Sequence, residues 1–282
     1  MQNPRFKFEY FAKTIRYKDF NIATYVIGSG EKNVLSFPSF PRSGLYYLWF
    51  LNHYDLSKVK FYTLDLPGWI GYSDNIFKNK PFDIEEYINI IKTLIKDYDI
   101  NKFSVLGYSY GGALTVRLVN DLPDMVEKVV LVSPVVNSRI IQHTKEVTAV
   151  NLAKKLGITK VFDWYIKGVW NKYKPQIITE GFPEGLIAVY ENMIRHSNSQ
   201  VLMNSLYTLF HSDLTGYLGC LKDKPLLTIN SLNEGKMFRK QAEFLRRKFI
   251  NCESTYLTGS HEDFILKPKS EVVKKVVHFL TS

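Results

Sequence analysis

Phe103-Ser-Val-Leu-Gly-Tyr-Ser-Tyr-Gly-Gly-Ala113 joins two runs of different character. Phe103, Val105 and Leu106 belong to a short apolar strand, and Gly112 to Asn120 forms a helix. The turn between them, Gly107-Tyr-Ser-Tyr-Gly111, fits the G-x-S-x-G elbow. That spacing has a mechanical reason. The serine backbone is strained so that its hydroxyl stands above the end of a sheet, and the flanking glycines let strand and helix pass close together. The new helix aims unpaired N–H groups and a positive dipole end at the same spot. The elbow therefore predicts Ser109 as a nucleophile at the carboxyl edge of a sheet.

Working outward, the pattern alternates. Phe6 to Lys13 and Phe20 to Ile27 read as strands joined through Tyr17-Lys-Asp19, and Asn33 to Phe37 as a third. The loop Pro38 to Gly44 leads into a short helix over Leu45 to Leu56, then a strand over Val59 to Leu64. Asp83 with Glu86 starts a helix whose Ile84, Tyr87, Ile88, Ile91, Leu94 and Ile95 share one face. After the elbow come strands at Lys128 to Val132, Pro225 to Asn230 and Glu253 to Leu257, with helices over Lys236 to Lys248 and Ser270 to Leu280. The eight strands predict an α/β architecture: a mostly parallel sheet flanked by helices, with its site at the carboxyl ends of the strands. From Val136 to His211 no strand pattern occurs, and the segment reads as short aromatic-rich helices inserted over that rim. The expected division is a core of 1–135 and 212–282 with a helical insertion of 136–211.

Composition narrows the classes. The 282 residues suffice for one large α/β domain. No apolar leader and no run of about 18 apolar residues is present, so neither a secretory signal nor a membrane span is expected. With only Cys220 and Cys252 there is no disulfide framework, and a cytoplasmic protein is expected. The net charge of +10 comes from scattered lysines, and the densest basic cluster is the short Arg246-Arg-Lys248. A solvated basic surface is expected rather than a nucleic-acid face. No His/Cys/Asp/Glu cluster has metal-ligand spacing, Gly28-Ser-Gly30 lacks a dinucleotide continuation, and no P-loop is present, so neither metal nor cofactor is expected.

A serine hydroxyl needs a base, and the base needs an orienting partner. Among six histidines, His261 follows the last strand at the same rim as Ser109. After the strand Pro225 to Asn230, Glu234 and Asn233 are available as the partner; a carboxylate holds an imidazolium better than an amide, which favours Glu234. Asp65 reads as a loop-ordering residue. The order Ser109, Glu234, His261 is that of the elbow-containing hydrolases.

Taken together, Asp65-Leu-Pro-Gly-Trp-Ile-Gly-Tyr-Ser73, Gly107-Tyr-Ser-Tyr-Gly-Gly112 and Gly259-Ser-His261 resemble motifs of the α/β-hydrolase superfamily, in its capped esterase, C–C hydrolase and haloperoxidase-like branch. The resemblance implies the α/β-hydrolase fold with a helical cap. It also implies oxyanion-hole amides at Phe40 and Tyr110. Two departures stand out. Pro38-Ser39 replaces the usual His-Gly, and Ser39 restricts the loop. The acid is Glu in Ser231-Leu-Asn-Glu234 rather than Asp. Tyr108, Trp69 and Trp164 are candidates for the substrate pocket. The expected activity is hydrolysis of a small or medium carboxylic ester through an acyl-enzyme, by a monomer or homodimer acting on a small acyl substrate. The alternatives are C–C hydrolysis or perhydrolysis on the same residues, and a non-catalytic binding protein of this fold.

Overall fold

In the computed structural model, residues 10–51, 54–74, 83–179, 184–250 and 252–282 are described. Strands β1 (Tyr10–Tyr17) and β2 (Phe20–Ile27) form a hairpin in which Tyr17 faces Phe20. The hairpin turns on Lys18-Asp19 alone, with Lys18 at φ 51°. The first strand thus runs to Tyr17, beyond the expected end at Lys13, because a two-residue turn suffices to reverse an antiparallel pair. Residues 6–9 of the expected strand lie outside the described residues.

Strand β3 (Lys32–Phe37) leads through helix α1 (Tyr46–Leu51) to β4 (Val59–Leu64). The expected helix runs on to Leu56, but Tyr54, Asp55 and Leu56 are not helical; residues 52 and 53 lie outside the described set. Helix α2 (Ile84–Asp97) then crosses to β5 (Phe103–Tyr108). The Asp83 side chain accepts the Glu86 N–H at 2.9 Å and starts α2. The Glu86 carboxylate instead accepts from Tyr17 Oη at 3.0 Å and Lys18 Nζ at 2.6 Å, tying the hairpin to α2. The expected apolar face is buried, joined by Ile90. Each such side chain contributes about 1.5–3 kcal/mol on burial.

Helix α3 (Tyr110–Asp121) leads to β6 (Val126–Val132). β6 starts earlier than expected because Val126 is buried and pairs with Phe103. Between β6 and β7 (Leu226–Ser231) the described residues hold no strand. They form α4 (Lys145–Lys155), α5 (Val161–Thr179), α6 (Glu184–Arg195) and α7 (Ser199–His211). Helix α8 (Lys236–Lys248), strand β8 (Glu253–Leu257), α9 (Asp263–Leu266) and α10 (Ser270–Thr281) complete the chain. No helix among the described residues is long and apolar enough to cross a membrane.

The eight strands form one sheet in the order β1-β2-β4-β3-β5-β6-β7-β8. From β4 to β8 all pairs are parallel, and every residue of β5 and β7 is buried. Strands covered on both faces read as continuous apolar runs. The connection after β3 goes to one side, to β4, and the connection after β4 returns to the other side, to β5. The strand order therefore reverses between β3 and β5, where an open α/β sheet leaves a crevice at its carboxyl edge. Phe37 at the end of β3 pairs with Gly107 near the end of β5, so the Pro38 loop and the elbow leave the sheet side by side.

Candidate active site

Ser109 sits between β5 and α3 with φ 55° and ψ −109°. A side chain at such a φ is uncommon and strained. Close packing holds it there. A Cβ at Gly111 would stand 2.2 Å from the Phe37 carbonyl oxygen, and one at Gly107 would stand 2.5 Å from that of Gly111. Only glycine lets the elbow press against β3. The Ser109 N–H donates to Val132 O at 2.8 Å, stapling the turn to β6. Tyr110 is the first residue of α3, so its N–H is one of the donors that a helix leaves without an internal partner.

His261 follows β8, and its Nδ1 lies 3.1 Å from Glu234 Oε1, from the loop after β7. A carboxylate oxygen accepts, so Nδ1 is the donor, and in the neutral ring Nε2 then carries the lone pair. Glu234 is 4% exposed. Its Oε1 also accepts the Ser133 hydroxyl, and Ser133, at φ 40°, ends β6 as Ser109 ends β5. Phe238 stacks on the imidazole, with centroids 3.9 Å apart and planes 19° apart. The Tyr108 hydroxyl donates to the His261 carbonyl. Burial pushes the Tyr108 phenol well above its ordinary value, so it stays a neutral donor. The imidazole is thus fixed by a carboxylate, a stacked ring and its own backbone. His143, His196, His211 and His278 are exposed, while His53 lies outside the described residues.

Ser109 and His261 line one cavity of about 410 Å³ with Phe40, Phe162, Leu206 and Phe238. Asn233, the rejected alternative to Glu234, is exposed. The expected pocket residues are placed differently. Trp69 is buried behind the wall, donating to Tyr87 Oη at 3.0 Å and Ser205 Oγ at 3.2 Å, and its ring meets Phe40 edge-on at 5.2 Å. Tyr108 is buried against His261 and Phe264. Trp164 is 77% exposed and points away; Phe162 and Tyr165, two and one positions from it, take the wall. The Tyr110 ring packs against Trp69 at 4.9 Å, leaving only its backbone near the elbow opening.

The loop after β3 is rooted by Asp65, as expected of a loop-ordering carboxylate. Asp65 Oδ1 accepts from Ser43 Oγ at 2.6 Å and Gly44 N at 2.9 Å, and Oδ2 from Tyr25 Oη at 2.5 Å and Tyr72 N at 2.8 Å. Burial pushes its carboxyl up, against the pull of these four donors. Ser39 keeps a negative φ, so a serine in place of glycine meets no left-handed penalty there. The expected restriction of this loop is therefore not a distortion of it.

An ion pair absent from the sequence reading ties the two site loops. Arg42 Nη2 lies 2.5 Å from Glu262 Oε2, and Arg42 Nη1 donates to Tyr46 Oη at 2.9 Å. Burial alone would lower the guanidinium, but facing Glu262 holds it above its ordinary value. Residues 42 and 262 come together only through the tertiary fold, and no periodicity marks them. Removing one partner of such a buried pair strands the other charge. Arg42→Met is therefore expected to cost about 3–5 kcal/mol in urea denaturation, with most of it recovered in Arg42→Met/Glu262→Leu. Equal stability of Arg42→Met and the parent would show that the pair contributes nothing.

Among the described residues no group of His, Cys, Asp and Glu could hold a metal ion. Residues 32–165 match the family model described as alpha/beta hydrolase fold. No curated protein matches the chain. Among solved structures it is similar to an esterase (EaEST) from Exiguobacterium antarcticum, at 18% identity and TM-score 0.76, covering 96% of this chain and 100% of that one. A bromoperoxidase from Bacillus anthracis aligns at 15% identity and TM-score 0.71, over 96% and 100% of the two chains. An enol-lactonase from Burkholderia xenovorans LB400 aligns at 17% identity and TM-score 0.70, over 96% and 100%.

Proposed function

We propose that this chain, which has the α/β-hydrolase fold, is a serine hydrolase that cleaves a small or medium carboxylic ester. The observation that carries this reading is the Nδ1–Oε1 contact of 3.1 Å between His261 and Glu234, at a cavity that Ser109 also lines. In the reaction, Ser109 Oγ attacks the ester carbonyl while His261 Nε2 takes its proton. The Phe40 and Tyr110 amides stabilise the oxyanion, a term commonly worth several kcal/mol. Collapse expels the alkoxide, which takes the proton back from His261 and leaves as the alcohol. Water, deprotonated by the same Nε2, then attacks the acyl-enzyme, and the acid departs as Ser109 is restored. Glu234 keeps the imidazole in its working tautomer throughout.

In this reading the insertion of 136–211 is a helical cap on a core of 1–135 and 212–282. Apolar side chains from α4, α5 and α7 supply most of the acyl wall (Val150, Phe162, Leu206, Phe210), which suits an uncharged acyl chain. The test is intact-mass labelling with a fluorophosphonate. The expected result is one adduct, mapped to Ser109, and none on His261→Ala. Folded protein that takes no adduct, or takes it at another residue, overturns the assignment.

A further inference from the structure

The helical insertion leaves an apolar surface uncovered. Six large apolar side chains exposed among the described residues fall between positions 152 and 165: Leu152, Leu156, Ile158, Val161, Trp164 and Tyr165. They occupy the end of α4, the turn after it and the start of α5. Trp164 is 77%, Leu156 59% and Ile158 50% exposed. A soluble monomer seldom leaves such a concentration of apolar surface without a partner. The patch also borders the cavity, because Val161 and Tyr165 line it from within.

Charge identifies the partner. Residues 145–174 carry seven lysines and two carboxylates. Both carboxylates are turned inward: Asp163 accepts the Ser199 hydroxyl, and Glu146 lines the cavity with Oε2 buried. Two of the lysines are held locally, Lys154 at Asn204 and Lys174 at Glu191. The other five, Lys145, Lys155, Lys160, Lys167 and Lys172, are exposed on the same stretch of chain as the apolar residues. Lys155 and Lys160 thus interleave with the exposed apolar residues along the chain, and Lys167 and Lys172 follow on α5 as a basic fringe.

We propose that this face docks on the surface of an anionic lipid bilayer. Leu156, Ile158 and Trp164 enter the boundary between headgroups and acyl chains, and Lys155, Lys160 and Lys167 meet the anionic headgroups. An indole with an exposed edge and lysines on long apolar stems suit that boundary. The arrangement lies on one leaflet and spans nothing. A protein partner of mixed charge would leave the all-positive fringe partly unmatched, whereas an anionic bilayer matches every lysine in it. Docking places the cavity mouth at the lipid surface, where an apolar acyl ester would be presented to it. Only that delivery rests on the hydrolase reading; the docking does not.

The test is co-sedimentation of the full chain with vesicles of phosphatidylcholine alone, or of phosphatidylcholine with about 30% phosphatidylglycerol. Wild type is expected to partition onto the anionic vesicles at least about tenfold more strongly, and less so as salt is raised. Lys155→Glu/Lys160→Glu is expected to weaken binding by about 100-fold. Leu156→Ser/Trp164→Ser is expected to weaken it by about tenfold. Circular dichroism verifies that each variant folds. Ser109→Ala should bind as wild type does, which separates docking from catalysis. No preference for anionic vesicles, or variants that bind like wild type, overturns the proposal. So does a wild-type dimer in solution that Leu156→Ser/Trp164→Ser makes monomeric, since the patch would then be covered by a second copy.

Discussion

Ser109→Gly is expected to be both inactive and more stable than Ser109→Ala. Either change removes the nucleophile, and kcat on a nitrophenyl ester should fall by about 10^6-fold. The stabilities should then separate. Ser109 is held at φ 55° and ψ −109°, a conformation that costs a residue with a Cβ about 1–3 kcal/mol. Alanine keeps that cost and glycine removes it. Glycine gives back about 0.5–1 kcal/mol through the greater freedom of its unfolded chain. The balance favours Ser109→Gly by about 1 kcal/mol, or a few degrees in Tm for a chain of this size. Urea denaturation of the two variants side by side measures it. A glycine variant less stable than the alanine variant would mean that the elbow stores no strain. Retention of wild-type turnover in either would remove Ser109 from the mechanism.

The second large effect concerns Glu234. Glu234→Gln is expected to lower kcat by about 10^3–10^4-fold with a smaller change in KM. Glu234 Oε1 accepts from both His261 Nδ1 and the Ser133 hydroxyl. An amide has one oxygen and one nitrogen. If the oxygen faces His261, the tautomer survives but the negative charge that stabilises the imidazolium is gone. If the nitrogen faces it, Nδ1 must accept, the proton moves to Nε2, and the base is lost. Glu234→Asp keeps the charge but withdraws it by one methylene, so an intermediate rate is expected. Steady-state kinetics of the three proteins decides the matter. A Glu234→Gln enzyme within tenfold of wild type would exclude Glu234 as the orienting acid.

Much of this architecture is legible in the residues because local rules and tertiary structure agree. The 3.6-residue period of Ile84 to Ile95 is the buried face of α2, and the β5 run Phe103 to Tyr108 is buried throughout. Phe20–Ile27, Val59–Leu64, Lys236–Lys248 and Glu253–Leu257 begin and end where turn residues predict. The elbow spacing is legible for a steric reason, since two glycines make contacts that a Cβ would forbid. The aromatic residues of the insertion are harder. Phe162, Trp164 and Tyr165 are adjacent, and only the direction from which α5 meets the cavity decides which of them face it. Trp69 misleads because a motif loop at the rim turns its indole inward, to Tyr87 and Ser205. Arg42 and Glu262 are separated by most of the chain, and Ser133 is one small residue at a strand end. Neither leaves a local trace, because each acquires its role only when distant loops meet at the reversal of strand order.

That meeting has an evolutionary consequence. Ser109, Glu234 and His261 stand on loops that leave β5, β7 and β8, while the wall around them comes mostly from helices strung between β6 and β7. Substitutions at Val150, Phe162, Leu206 or Phe210 reshape that wall without touching the elbow or the contact between Glu234 and His261. On the proposed reading, reaction and substrate choice are written in separate stretches of the gene. A lineage could exchange one substrate for another by drift in a single interval of about seventy codons and inherit its chemistry unchanged.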